Sequence, residues 1–94
     1  MQATLVEGEL TIYTAAQEKQ RLQSFLYSDD DLELDLSAVT EIDSAGLQIL
    51  IVLKKEAHKL NKRLRFVMHS KPVLEILEFT NLTAWFGDPV VLVH

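Results

Sequence analysis

The sequence predicts an α/β fold with a single small domain over residues 1–94. Short segments alternate apolar and polar residues, as strands with one buried face do, and the longer segments between them repeat apolar residues at helical spacing. Strands that alternate with helices imply right-handed crossovers and parallel neighbours. Strict alternation in residues 32–36 and 63–69 indicates that one face of the sheet is open. We therefore expect a mixed sheet of four to five strands with three to four helices mainly on one face.

The N-terminal part of the chain is predicted to form a β-hairpin and then a helix. Apolar residues on both sides of Glu7-Gly8-Glu9, a segment with turn composition, indicate two short paired strands within residues 4–13. Thr14 and Gln17 have the spacing of a capping box. The first helix is therefore predicted to begin there and to end at about Tyr27.

The centre of the chain is predicted to be a strand, a linking loop and a long helix. Residues 32–36 form the strand, residues 37–42 the loop, and the helix runs from Ser44 to Leu60. Gly46 in its first turn suits a close approach of the helix to the sheet. The core-facing stripe is predicted to consist of Gly46, Ile49, Leu50, Leu53, Ala57 and Leu60.

After the long helix, Asn61 is a suitable terminating residue because asparagine tolerates the left-handed conformation. Residues 63–69 are predicted to be a strand with Leu64, Phe66 and Met68 on one face. Its arginines at 63 and 65 are expected to lie opposite Glu33 and Asp35 on the open face of the sheet.

The C-terminal segment is predicted to hold a short helix and a last strand. Ser70 can cap a helix that has Pro72 in its first turn. Residues 89–93 are predicted to be the last strand, and Trp85-Phe86 to close the core beneath it.

Composition excludes several classes of function. Formal net charge is −5 and the basic residues are spread along the chain, so no nucleic-acid partner is expected. The absence of cysteine excludes disulfides, thiolate zinc sites and cysteine nucleophiles. His58, His69 and His94 lack ligand spacing and no glycine-rich phosphate loop is present, so no metal and no cofactor are expected.

The sequence also predicts a cytoplasmic protein that does not insert into the membrane. The longest apolar run has five residues, far below the roughly 20 that span a bilayer. The first residues resemble no signal peptide.

The junction of the central strand and helix is the candidate functional site. It places the Ser44 hydroxyl beside the Asp43 carboxylate where the helix begins. One side of the helix then combines apolar and polar residues, as a docking surface with a chemical switch at one end does. Two alternatives stay open: Ser44 as no more than an N-cap, and the apolar members packed against neighbouring helices. This side carries Ser44, Leu47, Gln48, Ile51, Lys55 and His58.

An enzymatic role for this junction is not expected. Ser44 and His69 are both placed near the carboxyl ends of neighbouring strands, where ligands bind in open sheets. However, the chain has no Gly-x-Ser-x-Gly motif, no evident residue to orient His69 and little length for a substrate pocket.

Residues 34–47, Leu-Asp-Leu-Ser-Ala-Val-Thr-Glu-Ile-Asp-Ser-Ala-Gly-Leu, resemble the signature of the STAS domain, named for sulfate transporters and anti-sigma factor antagonists. The resemblance implies that Ser44 is phosphorylated by a serine kinase, often itself an anti-sigma factor, and dephosphorylated by a serine phosphatase. Asp43, Ala45 and Gly46 would form the loop around it. Ala45 departs from many antagonists, which have a second hydroxyl residue there, and Asn81 replaces a common glycine.

The predicted function is therefore that of a non-enzymatic bacterial signalling adaptor of the antagonist type, whose partner binding is controlled at Ser44. An alternative within the same resemblance is an accessory subunit of an ABC-type phospholipid-transport complex, bound to the ATPase without phosphorylation. In both, the predicted partner-binding residues are Leu47, Gln48, Ile51 and Lys55. A phosphate at a helix N-terminus meets free amides, so the fold would tolerate it while the partner surface would not.

Overall fold

The computed structural model describes residues 1–80, which form five strands and three helices. In chain order the elements are β1 (Gln2–Leu5), β2 (Gly8–Leu10), α1 (Ala15–Phe25), β3 (Asp31–Asp35), β4 (Val39–Ile42), α2 (Ser44–Lys59), β5 (Arg63–Val67) and α3 (Lys71–Thr80). The predicted α/β class, with parallel neighbouring strands, is confirmed. The predictions for Asn81, Trp85-Phe86 and the strand at 89–93 lie outside the described residues.

The strands are divided between two sheets. One sheet has the order β1-β3-β5 and the other pairs β2 with β4, and every pairing is parallel. The predicted hairpin of the first two strands is therefore wrong. The chain passes from one sheet to the other at Val6 to Gly8, whose amides donate to the carbonyls of Asp35 and Ala38 respectively. Gly8 has a φ of 75°, a conformation that favours glycine.

The segment predicted to be a linking loop, residues 37–42, contains β4. Its alternation is too short to be recognised, because Thr40 and Glu41 are both exposed between Val39 and Ile42. This missed strand is functionally important because it ends one residue before Asp43 and so sets where α2 begins.

The core lies between the larger sheet and the helices. Leu32 and Leu34 of β3 and Leu64 and Phe66 of β5 are buried, whereas the residues between them are partly exposed, so the predicted open face is confirmed. Helix α2 packs against α1, β5 and both strands of the smaller sheet. No helix within residues 1–80 is long and apolar enough to cross a membrane.

On the open face, Arg65 lies opposite Glu33, and their side chains form an ion pair at 3.0 Å between Nη2 and Oε2. The predicted charge match across the open face is confirmed for these two residues. Arg63 lies opposite Asp31 and Asp35 lies opposite Val67, so the predicted match is wrong for Asp35. Its Oδ1 instead accepts a hydrogen bond from the Ser37 amide at 2.8 Å.

Three predictions about element ends have mixed outcomes. Asn61 has a φ of 58°, so its predicted left-handed conformation at the end of α2 is confirmed. Met68 has a φ of 57°, which ends β5 at Val67 and turns Met68 partly to solvent, so its predicted place beside Phe66 is wrong. Leu60 follows the last residue of α2 and is exposed, so its predicted place in the core stripe is also wrong.

Two predicted caps differ from the structure. Thr14 is the N-cap of α1, but its side chain makes no capping bond to the helix. Its Oγ1 instead accepts from the Thr11 amide at 3.0 Å and lies 3.0 Å from the Glu9 carbonyl, to which it can donate. The Ser70 hydroxyl is buried and caps no amide within residues 1–80, although the Ser70 carbonyl accepts the bond from Leu74.

Candidate functional site

Asp43 is the residue around which the site is built. Its Oδ1 accepts from the Gly46 amide at 3.0 Å, so Asp43 is the N-cap of α2. Its Oδ2 accepts from the amide of Ile12 at 3.0 Å. One carboxylate therefore fixes the start of α2 and, at the same time, the loop that follows β2.

The ionised form of Asp43 is favoured by these contacts. The hydrogen bond from the Ile12 amide, followed by that from Gly46, holds the pKa of Asp43 below its ordinary value. Because the folded pKa is the lower one, the contribution of this carboxylate to stability is fully present above the unfolded pKa of about 3.9. It is lost as the pH falls through the folded pKa.

Asp43→Asn is therefore expected to make stability less dependent on pH. The amide keeps one acceptor but cannot ionise, so the wild-type protein should lose more of its thermal stability than the variant between pH 6 and about 3. Thermal unfolding followed by circular dichroism across this range measures the difference. Asp29, whose pKa is also lowered, is unchanged in both proteins. If Tm depends on pH in the same way in both proteins, the lowered pKa of Asp43 is contradicted.

Gly46 allows α2 to approach the smaller sheet. A Cβ at this position would lie 2.8 Å from the carbonyl carbon of Leu10 and closer still to its oxygen. Only glycine therefore fits between the first turn of α2 and the end of β2. The close approach predicted for this residue is confirmed.

Ser44 is the first residue of α2 and is exposed. Within residues 1–80 its hydroxyl makes no hydrogen bond, because Asp43 supplies the cap. The alternative in which Ser44 is no more than an N-cap is therefore wrong. Ala45 beside it is half-buried. The Ser44 hydroxyl is therefore open to solvent.

The loop between β2 and α1 contributes two residues that the sequence prediction missed. Ile12 is 68% exposed and Tyr13 is 89% exposed, both unusually high for large apolar or aromatic side chains. Since the Ile12 amide binds Asp43, this loop lies next to the start of α2. The sequence did contain a signal, two adjacent large side chains at Ile12 and Tyr13. They were interpreted as strand residues because the segment was predicted to form a hairpin.

This loop is held in place from its other end as well. Thr14 Oγ1 accepts from the Thr11 amide, and Thr11 Oγ1 bonds the Glu9 carboxylate while accepting from the Tyr13 amide at 3.3 Å. Thr11 itself is buried. Ile12 and Tyr13 are therefore presented to solvent by a loop whose backbone is bonded on both sides.

The predicted docking side of α2 is only partly exposed. Gln48, Lys55 and His58 are exposed and Ile51 is half-buried against the core. Leu47 is 5% exposed, so its prediction as a surface residue for a partner is wrong. The buried side of α2 is therefore wider than the stripe that the helical pattern predicted, because α2 packs against α1, β5 and both strands of the smaller sheet.

The structure gives no Ser–His pair. His69 is 1% exposed and lies in the turn after β5, and the exposed Ser44 hydroxyl makes no hydrogen bond to it. A buried imidazole cannot act as a base for a nucleophile on the surface unless the two are within hydrogen-bond reach. Ser44 and His69 therefore do not form a nucleophile–base pair in this structure.

We define the Ser44 surface as the exposed or half-exposed residues that these contacts bring together. From the loop it takes Ile12 and Tyr13, and from one stripe of α2 it takes Ser44, Gln48, Ile51 and Lys55. The i, i+4, i+7, i+11 spacing keeps the helical members on one side. It is a mixed surface with an apolar end and a single lysine at the other end.

This fold with this site defines a STAS-type α/β domain. Similar solved structures include an anti-sigma factor antagonist from Mycobacterium paratuberculosis, at 26% identity and a TM-score of 0.78, covering 94% of this chain and 74% of that one. The anti-sigma factor antagonist SpoIIAA in its unphosphorylated form is similar in fold, at 15% identity and a TM-score of 0.73, over 98% of this chain and 78% of that one.

The family model described as MlaB, STAS domain matches residues 4–93, and the chain belongs to this family. The chain is also similar to the intermembrane phospholipid transport system binding protein MlaB of Haemophilus influenzae, at 35% identity over 57 residues. That match covers 61% of this chain and 54% of the relative, so the chain spans about half the length of the curated relative it matches.

Proposed function

We propose that this protein is a non-enzymatic, cytoplasmic accessory subunit of an ABC-type phospholipid-transport system, and that it binds the ATPase through the Ser44 surface. The observation that carries this proposal is the exposed Ser44 hydroxyl, with no hydrogen bond inside residues 1–80, at a helix start to which the loop with the exposed residues Ile12 and Tyr13 is bonded through Asp43. The hydrogen-bonded loop keeps these apolar side chains exposed to water, which is unfavourable in free energy. Binding of a partner surface would bury them.

The form of the surface supports protein binding. Tyrosine combines a large apolar ring with a polar end and is enriched where interfaces have their strongest contacts. The backbone bonds around residues 11–14 also restrict the loop before binding, which reduces the entropy lost on association. These properties are those of a surface that binds another protein in a stable complex.

The family model and the curated MlaB relative support a transport system as the setting. The sequence prediction preferred a phosphorylation-controlled antagonist and gave the transport subunit as the alternative. These two matches are the reason that we now propose the transport subunit first. The antagonist remains the second candidate because the Ser44 hydroxyl is exposed at a helix N-terminus, where the fold would accept a phosphate.

Co-expression with the ATPase subunit of a phospholipid-transport system from the same organism tests the first proposal. The two chains should elute together in size-exclusion chromatography, and Tyr13→Asp should lower the affinity at least about tenfold because it places a charge in the interface. Tyr27→Asp is the matched control, since Tyr27 is also exposed but lies at the far end of α1. Absence of a complex, or equal affinity for both variants, would contradict the proposal.

The second candidate is tested by incubating the protein with serine kinases from the same organism. Intact-protein mass spectrometry should then show the addition of one phosphate group that Ser44→Ala abolishes. If wild-type protein stays unmodified with every kinase, the antagonist function is contradicted while the transport function is unaffected.

A further inference from the structure

Helix α3 has a second apolar stripe beside the one that enters the core. Val73 and Leu77 are buried in the core, whereas Pro72, Ile76 and Phe79 lie on an adjoining side of the helix, where Pro72 and Ile76 are half-buried and Ile76 still contacts the edge of the core. With Glu75 these three have the spacing i, i+3, i+4, i+7 of a single helical stripe. Phe79 is 91% exposed, the highest value among the large hydrophobic residues described.

This stripe faces the neighbouring strand across an open groove of about 360 Å³. The β4 side of the groove is lined by Thr40, Glu41 and Ile42. The volume lies at the small end of the range of about 300–1,000 Å³ for ligand pockets. It therefore accommodates a few side chains of a larger molecule.

The charge of the groove indicates what would bind there. Its apolar side chains come from Ile42, Pro72, Ile76 and Phe79, and its rim carries the carboxylates of Glu41 and Glu75, both exposed. No lysine or arginine is among its lining residues. An apolar side chain flanked by a cationic one would satisfy both features.

We propose that the groove between β4 and α3, the acidic groove, is a second docking site that takes a short partner segment in which an apolar residue is flanked by lysine or arginine. It is separate from the Ser44 surface in its residues, although Ile42 lies only two positions before Ser44. The proposal does not depend on which partner binds at Ser44.

Charge also argues against the C-terminal residues of the same chain as the occupant. Residues 81–94 contain no lysine and no arginine, and they include Asp88. A segment with that composition cannot neutralise Glu41 and Glu75. A separate basic segment is the better complement.

Selection from a random twelve-residue peptide library against the full-length protein tests the proposal. The selected peptides should share an apolar residue within a few positions of lysine or arginine. Their affinity, measured by fluorescence anisotropy, should fall at least about tenfold in the double variant Glu41→Lys/Glu75→Lys and weaken as salt is raised. The matched control is Glu7→Lys/Asp30→Lys, which changes the net charge equally at two exposed residues outside the groove.

Other outcomes would overturn the proposal. Peptides without basic residues, no selection at all, or an equal loss in the control variant each contradict it. A second copy as the occupant would appear as dimerisation in sedimentation equilibrium that Phe79→Asp abolishes. Peptide selection needs no transport ATPase, so its result is independent of the test of the proposed function.

Discussion

Gly46→Ala is expected to be the most destabilising single-methyl change at the site, with a loss of about 3 kcal/mol or more in the free energy of unfolding. The added Cβ would meet the carbonyl group of Leu10, which is backbone and cannot rotate away. Either α2 or β2 must therefore move. Denaturant unfolding with a fixed m-value measures the loss.

The sign of this effect separates packing from helix propensity. Alanine is the better helix former by about 1 kcal/mol, so propensity alone predicts that Gly46→Ala stabilises the protein. Gly8→Ala is a useful comparison because a Cβ there meets no atom within 4 Å, and only its φ of 75° opposes the change. Unchanged or increased stability of Gly46→Ala would show that α2 does not approach β2 as described.

Ser44→Asp is expected to fold normally but to weaken binding of the ATPase about 100-fold relative to Ser44→Ala. An acidic side chain at a helix N-terminus is compatible with the helix dipole, so stability should be unchanged or slightly increased. In the complex the same charge would be desolvated beside Ile12 and Tyr13, without a partner of opposite sign, at a cost in the range of about 2–5 kcal/mol. Isothermal titration calorimetry gives both affinities.

Ser28→Asp is the control for the Ser44 series. Ser28 is an exposed serine in the turn after α1, and the same charge there should leave the affinity within about threefold of wild type because it lies outside the Ser44 surface. If Ser44→Asp and Ser44→Ala bind equally well, neither a permanent interface at Ser44 nor control by phosphate is supported.

The sequence predicted the larger sheet and the long helix because both have a regular pattern. Leu32 and Leu34 alternate with acidic residues, and the apolar residues of α2 repeat over four turns. Such a pattern indicates whether a segment is a strand or a helix and which of its faces is buried. They therefore placed Asp43 and Ser44 correctly at the start of α2, although β4, the strand that directly precedes Asp43, was predicted to be a loop.

The smaller sheet was missed because its strands have three and four residues and pair across 31 to 32 positions of the sequence. The pattern of residues within a short segment does not indicate which distant strand it pairs with. One error at the site follows from this omission: Ile12 and Tyr13 were assigned to the second strand of a hairpin, whereas they lie in the loop after β2. Leu47 was assigned to solvent because the helical pattern placed it off the core-facing stripe, although it is buried.

The two bonds of Asp43 have a thermodynamic consequence for the partner. The bond from Ile12 joins residues 31 positions apart and the bond from Gly46 joins residues three positions apart, so the Ser44 surface exists as a unit only in the folded chain. A partner that binds this surface binds the native state alone and must raise the midpoint of thermal unfolding as its concentration rises. Substituting Asp43 would then reduce both stability and affinity, whereas substituting Ser44 would alter affinity alone.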